Sequence, residues 1–200
     1  MIKAIIFDFG GVLGSDSNAW KKNSRKILEV TGLSLDQIEE IGNSHWKQLN
    51  RGNKELSVLL NDICLRSKKD VDAATLEKIY EDNISINFDV LKFAENLKEQ
   101  GFKIAILTNE SRDGMEMKIQ KFSLDKIFSR IYCSAFLGME KPDKKIFEYV
   151  LQDLNMKGNE LVFIDDREEN IHSAAKLGIK SILFKNVNQL KKKLVKLEIF

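Results

Sequence analysis

The sequence predicts an α/β fold: a Rossmann-like parallel sheet flanked by helices, with a small helical cap domain inserted after the first strand. Three observations carry this reading. Five short apolar runs rich in branched residues alternate with helical patterns, which argues parallel strands joined by helical crossovers. Most of those runs lack a clean apolar–polar alternation, as strands buried on both faces do. One interval, residues 16–86, contains helical patterns and no convincing strand.

Taken in chain order, the first strand is expected from Lys3 to Phe9. Four helices then follow in the insertion, from Ala19 to Val30, Leu35 to Gln48, Leu56 to Leu65 and Ala73 to Tyr80, separated by glycine or polar punctuation. A helix from Val90 to Gln100 leads into a second strand, Phe102 to Leu107, and a helix from Gly114 to Phe122 into a third, Ile127 to Cys133. The pattern repeats with a helix from Lys144 to Leu154, a strand from Glu160 to Ile164, a helix from Glu168 to Leu177 and a strand from Lys180 to Phe184. At the end, Leu190, Leu194, Val195 and Leu197 interleave with Lys191, Lys192, Lys193 and Lys196, the pattern of an amphipathic helix whose lysines are solvated. The expected division is a discontinuous core, residues 1–15 and 87–200, with a cap of residues 16–86 between its two parts.

Composition narrows the function classes. With 43% hydrophobic and 31% charged residues in 200, the chain is globular rather than disordered. A net charge of +2 from 32 basic and 30 acidic side chains marks out no nucleic-acid or membrane partner. No apolar span reaches the roughly 18 residues of a membrane helix, and the short first run, broken by Asp8, lacks the apolar segment of a signal peptide. Two cysteines, Cys64 and Cys133, are too few for a disulfide framework or a thiolate zinc site, so a reducing cytoplasm is expected. A monomer or weak homodimer is the expected state.

Four segments stand at the carboxyl ends of expected strands, where open parallel sheets bind ligands. Asp8 ends the first strand and is followed by Gly10 and Gly11, which let backbone approach a ligand. Thr108 and Asn109 follow the second strand with a hydroxyl and an amide suited to phosphate oxygens. Lys141, Pro142 and Asp143 lie on a loop that enters a helix, and Asp165 and Asp166 end a buried strand as an acidic pair.

The order Asp8-x-Gly-Gly11-Val12, then Thr108-Asn109, then Lys141-Pro142-Asp143, then Asp165-Asp166 with Asn170 resembles the four signature segments of the haloacid dehalogenase superfamily. The resemblance covers the whole core, and the insertion matches that superfamily's helical cap. Phe7 to Leu13, Arg51-Gly52 and Phe163 to Asn170 look similar to sugar-phosphatase-like members and to the phosphatase domain of soluble epoxide hydrolases.

The resemblance implies Mg²⁺-dependent hydrolysis of a small phosphorylated metabolite. Asp8 is then the nucleophile that forms an aspartyl-phosphate. Mg²⁺ is held by the Asp8 carboxylate, the Gly10 carbonyl and Asp166, with Asp165 completing the shell. Lys141 offsets the gathered negative charge, and Thr108, Gly10, Gly11 and Asn109 cradle the phosphate. Arg51 is a candidate substrate contact from the cap. Trp20 and Trp46 are expected chiefly in cap packing, His45 and His172 show no ligand spacing, and Asn170 is expected to tie down the loop after the acidic pair.

One departure stands out. Most phosphatases of the superfamily carry a second aspartate two residues after the nucleophile as general acid and base, and here that residue is Gly10. Such a donor contributes about 100- to 10,000-fold. Its loss leaves three routes: a substrate with a good leaving group such as an acyl or anomeric phosphate, an acid from the cap or from Asp16, or slow turnover with a lingering aspartyl-phosphate; a catalytically weak phosphate-binding or regulatory protein is the alternative reading. Dehalogenases also lack that acid, yet they do not keep the acidic pair. Crowding Asp165 and Asp166 beside Asp8 makes sense with a cation present.

Overall fold

In a computed structural model of the chain, residues 1–14, 19–197 and 199 are described. The expected cap boundary at residues 15 and 16, and Asp16 as an alternative acid, lie outside the described residues. Five parallel strands form one sheet: β1 (Ala4–Phe7), β2 (Lys103–Thr108), β3 (Arg130–Cys133), β4 (Leu161–Asp165) and β5 (Lys180–Leu183), in the order β3-β2-β1-β4-β5. The strand order reverses at β1, whose Phe7 pairs with Ile106 on one side and Ile164 on the other. The ends of β1 and β4 therefore open the crevice that such a reversal creates.

Helices cover both faces, which is why the strands read as continuous apolar runs. The helices are α1 (Ala19–Thr31), α2 (Leu35–Asn50), α3 (Leu56–Arg66), α4 (Ala73–Asp82), α5 (Phe88–Glu99), α6 (Arg112–Phe122), α7 (Leu124–Ile127), α8 (Ser134–Leu137), α9 (Lys144–Leu154), α10 (Glu168–Ala175) and α11 (Val187–Lys196). Successive strand residues point to opposite faces. Ile5, Phe7, Ile104, Ile106, Val162 and Ile164 pack with α5, α6 and α11. Ala4, Ile6, Ala105, Leu107, Leu161 and Phe163 pack with α9 and α10. α1 to α4 gather a third cluster around Ile38, Ile41, Leu59, Ile63 and Leu76.

Local chemistry sets the element ends. Ser34 caps α2 in a reciprocal pair with Gln37, Asp72 caps α4, and Ser111 caps α6 by accepting from the Gly114 amide. Most expected bounds shift by one to three residues, the first strand ending at Phe7 rather than Phe9, and two of the shifts have a clear local cause. The third strand starts at Arg130, because Leu124–Ile127 closes a turn of helix with Leu124 in the core. α6 starts two residues earlier than the apolar pattern, at the turn that Ser111 caps.

The helical insertion meets the loops and helices that follow β2 and β3 at defined places. Gly52 has a φ of 70°, and a side chain there would run into the carbonyl oxygen of Ala135. The amide of Leu56 donates to Asp113, and the Tyr80 hydroxyl donates to Glu110 at 3.2 Å. Arg51 pairs with Glu140 at 3.0 Å. Among the described residues, no helix is long and apolar enough to cross a membrane.

Candidate active site

β1 delivers Asp8 to the crevice. Its amide continues the ladder by donating to the Ile164 carbonyl at 2.8 Å, and its carboxylate accepts from the Phe9 amide at 2.7 Å. The chain then makes a wide turn over Phe9–Leu13, in which Gly11 takes a φ of 68° that disfavours a side chain.

Lys141 reaches the same point from the loop before α9. Its ammonium lies 2.9 Å from Asp8 Oδ1 and 2.7 Å from Asp165 Oδ2, and donates to the Leu107 carbonyl at 2.9 Å. Three oxygens take the three protons of one ammonium. Asn109 fixes the loop: its side chain accepts from the Lys141 amide at 2.8 Å and donates to the Lys141 carbonyl at 2.7 Å. Asp165 is further held by the Arg167 amide at 2.8 Å and by the Asn170 amide group at 3.0 Å.

Carboxylate oxygens of Asp8, Asp165 and Asp166 lie within 4.8 Å of one another. Burial pushes the Asp8 carboxyl up to about 6; Lys141 opposes that rise, while Asp165 and Asp166 add to it. Asp166 is raised as well, by burial and then by Asp165. One ammonium does not neutralise three carboxylates. The donors are all oxygens, the set that a hard divalent cation takes. Asn170 Oδ1, buried beside Asp165 without a hydrogen-bond partner, offers one more oxygen.

A cavity of about 220 Å³ lies over this cluster, bordered by Asp8, Gly10, Thr108, Asn109, Lys141 and Asp166. A second cavity of about 460 Å³ adjoins it between the sheet and the helical insertion. Gly10, Asn50, Thr108, Asn109, Glu110 and Arg167 border both.

Of the residues singled out in the sequence, Asp8, Gly10, Thr108, Asn109, Lys141, Asp165 and Asp166 converge on this crevice. Gly11 sits in the wide turn and borders a different cavity, behind the site. Arg51 departs from the expected substrate contact: it is spent on Glu140 and borders neither of the two cavities over the site. Trp20 and Trp46 pack against the cap cluster and also line the larger cavity, with their rings edge-on at 4.8 Å. His45 is bound to Asp62, and His172 is exposed on α10.

Sequence reasoning missed Glu110, Lys118, Tyr80 and Asn23 among the lining residues, while Arg167, expected on a solvated first turn, keeps an exposed side chain that borders both cavities. Lys118 is buried, bonded to Glu110, and stacked over the rings of Phe9 and Tyr80. Burial opposes its charge, but Glu110 prevails and holds the ammonium above its usual range. Its place on the inner face of α6, one turn after Met115, was the available signal.

A doubly wound sheet with a lysine-bridged set of carboxylates at its switch point defines a hydrolase built around a strand-end carboxylate. Residues 5–184 match the haloacid dehalogenase-like hydrolases, and the chain belongs to that family. It is 28% identical over 182 residues to a sesquiterpene phosphatase of Aspergillus oryzae, covering 88% of this chain and 87% of that protein. It is 33% identical over 205 residues to bifunctional epoxide hydrolase 2 of Mus musculus, covering 92% of this chain and 37% of that protein. The chain spans about a third of the length of the longer curated relatives. A crystal structure of a family enzyme from Bacteroides thetaiotaomicron, in complex with magnesium and inorganic phosphate, superposes with a TM-score of 0.78 at 24% identity, covering 95% of this chain and 99% of that one.

Proposed function

We propose that this hydrolase is a Mg²⁺-dependent phosphatase of a small phosphorylated metabolite, with Asp8 as nucleophile. The observation that carries it is the convergence of Asp8, Asp165 and Asp166 within 4.8 Å around the single ammonium of Lys141. Such a cluster suits a divalent cation together with a dianionic phosphate. The phosphatase and the magnesium–phosphate complex among its relatives support the same reading.

Asp8, Asp166 and the Gly10 carbonyl would hold the cation, with Asp165 and Asn170 behind them. When bound, Mg²⁺ supplies charge neutralisation for the phosphoryl oxygens. Asp8 attacks phosphorus with the carboxylate oxygen left free by Lys141. The ester oxygen departs with the bonding electrons and takes a proton from solvent, and water then cleaves the aspartyl-phosphate. Lys141 keeps Asp8 ionised against the pull of burial. Thr108 and the backbone amides around Gly10 and Asn109 cradle phosphate oxygens, the Asn109 side chain being spent on the Lys141 loop. The helical insertion, residues 16–86, acts as a cap that excludes bulk water.

With Mg²⁺, the protein is expected to hydrolyse para-nitrophenyl phosphate, a substrate whose leaving group needs no proton. Asp8→Asn or chelation should abolish turnover, and activity indifferent to both overturns the reading. Gly10 favours one second reading, a slow phosphate-binding protein, which tight phosphate binding without turnover on a metabolite panel would support. Halide release from a 2-haloacid without metal would instead mark a dehalogenase.

A further inference from the structure

Arg167 stands where the two cavities over the site meet, since it borders both. Its backbone is fixed beside the acids: it follows Asp166 directly, and its amide donates to Asp165 Oδ1 at 2.8 Å. Its side chain is 63% exposed and has one ion pair among the described residues, with the similarly exposed Glu169 at 3.8 Å. Resting on the phosphatase reading, we propose that Arg167 holds the phosphoryl group at the solvent rim of the Asp8 crevice, its guanidinium leaving Glu169 to donate to two nonbridging oxygens.

Charge carries the argument. Asp8, Asp165 and Asp166 bring three negative charges to the crevice, and Lys141 brings one positive charge. A divalent cation would make that set neutral, and a phosphate dianion would then add two negative charges that nothing in it offsets. Glu110, which also borders the crevice, is bonded to the buried Lys118, so that pair has no net charge to offer. Among the described residues lining the crevice, Arg167 is the one cation that remains.

Hydrogen bonding agrees. The three donors of the Lys141 ammonium already go to Asp8, Asp165 and the Leu107 carbonyl, and the Asn109 side chain is taken by the Lys141 loop. The Arg167 guanidinium has no such commitment: an ion pair between two exposed side chains contributes little, so Glu169 does not hold it against a doubly charged ligand. A guanidinium also presents its N–H groups as a planar fork that matches two phosphate oxygens, and it stays charged at every working pH. Support of the metal is not an equivalent role. A cation beside Asp166 repels Mg²⁺, so removing it leaves the metal no more weakly held, and phosphate affinity lost with it is lost from the phosphate contact itself.

The test is calorimetric titration with inorganic phosphate in saturating Mg²⁺, beside para-nitrophenyl phosphate kinetics, on the wild type, Arg167→Gln, Arg167→Lys and Glu169→Gln. Arg167→Gln is expected to weaken phosphate binding by about tenfold and to raise KM by a similar factor, while kcat, the Mg²⁺ concentration for half-activation and the melting temperature change little. Arg167→Lys should recover part of the loss, because an ammonium keeps the charge but not the fork. Glu169→Gln, which frees the guanidinium, should bind phosphate at least as tightly as the wild type. Unchanged phosphate affinity in Arg167→Gln, full recovery in Arg167→Lys, weaker binding in Glu169→Gln, or a Mg²⁺ requirement that rises in step with the lost affinity overturns the inference and leaves the phosphatase reading intact. A wild type that neither hydrolyses para-nitrophenyl phosphate nor binds phosphate overturns both.

Discussion

The Lys141 ammonium lies 2.9 Å from Asp8 Oδ1, with side-chain exposures of 2% and 9%. In that dry setting the lysine serves two purposes at once. It offsets the desolvation of Asp8, and it separates Asp8 from Asp165, to which it is also bonded at 2.7 Å.

Lys141→Met should therefore damage both stability and activity. Removing one partner of a buried ion pair costs about 3 to 5 kcal/mol, and the lower end is expected because Asn170 and Arg167 still donate to Asp165. Turnover of para-nitrophenyl phosphate should fall by about 100-fold or more. Lys141→Arg should not rescue, since a planar guanidinium cannot place three donors on Asp8, Asp165 and the Leu107 carbonyl as an ammonium does. Urea denaturation and steady-state kinetics check the two effects separately.

Within the helical insertion, Asp62 accepts from His45 Nε2 and from Arg66, both at 3.0 Å. The His45 hydrogen bond, ahead of Arg66, holds the Asp62 carboxyl below its usual value. A lowered native pKa stabilises the fold above the unfolded value near 3.8, and that stability is lost as pH falls through the native one. Asp62→Asn is thus expected to cost about 0.5 to 1 kcal/mol at pH 7, with the gap to the wild type closing toward pH 3. Denaturation series at the two pH values decide it; a gap that widens on acidification contradicts the sign.

Gly42 lies inside α2, where alanine would ordinarily gain about 1 kcal/mol in helix propensity. A Cβ there, however, falls 3.0 Å from three atoms of the Trp20 indole. Overpacking of that kind costs about 1 to 3 kcal/mol, so the clash is expected to win. Gly42→Ala should lower the melting temperature and shift tryptophan emission, since Trp20 must move against Trp46.

Much of this was legible in the sequence because the signals were local. Strand runs ending in Asp8, Thr108 and Asp165 place those residues on one sheet edge, whatever the details of packing. Asn170 was legible too, since its spacing from Asp165 is one helical turn plus a loop. Arg51 was not, because its fate depends on Glu140, 89 residues away. The Lys118–Glu110 pair was hidden for a similar reason: a lysine on a helix reads as solvated until Phe9 and Tyr80 are seen to cover it. Ser111 shows a smaller gap, as its capping role overrode the apolar period that placed the start of α6 at Gly114.

Gly10 offers the sharpest test of the chemistry. Its backbone, at φ −61° and ψ 127°, suits any residue, and a Cβ there meets nothing within 4 Å. The glycine is thus not imposed by the fold, and it borders both the Asp8 crevice and the larger cavity, where a leaving oxygen would need its proton. Gly10→Asp should fold normally and place a carboxyl at that junction. Nearby Asp8 and Asp166 would disfavour its ionisation, keeping a proton available for donation. Turnover of alkyl phosphates should rise by about 100-fold or more, while para-nitrophenyl phosphate, which needs no proton, changes much less. The pH–rate profile for alkyl esters should also gain a falling limb on the alkaline side as the new acid deprotonates. Equal changes for both leaving groups in a stably folded variant would show that proton donation is not what Gly10 withholds.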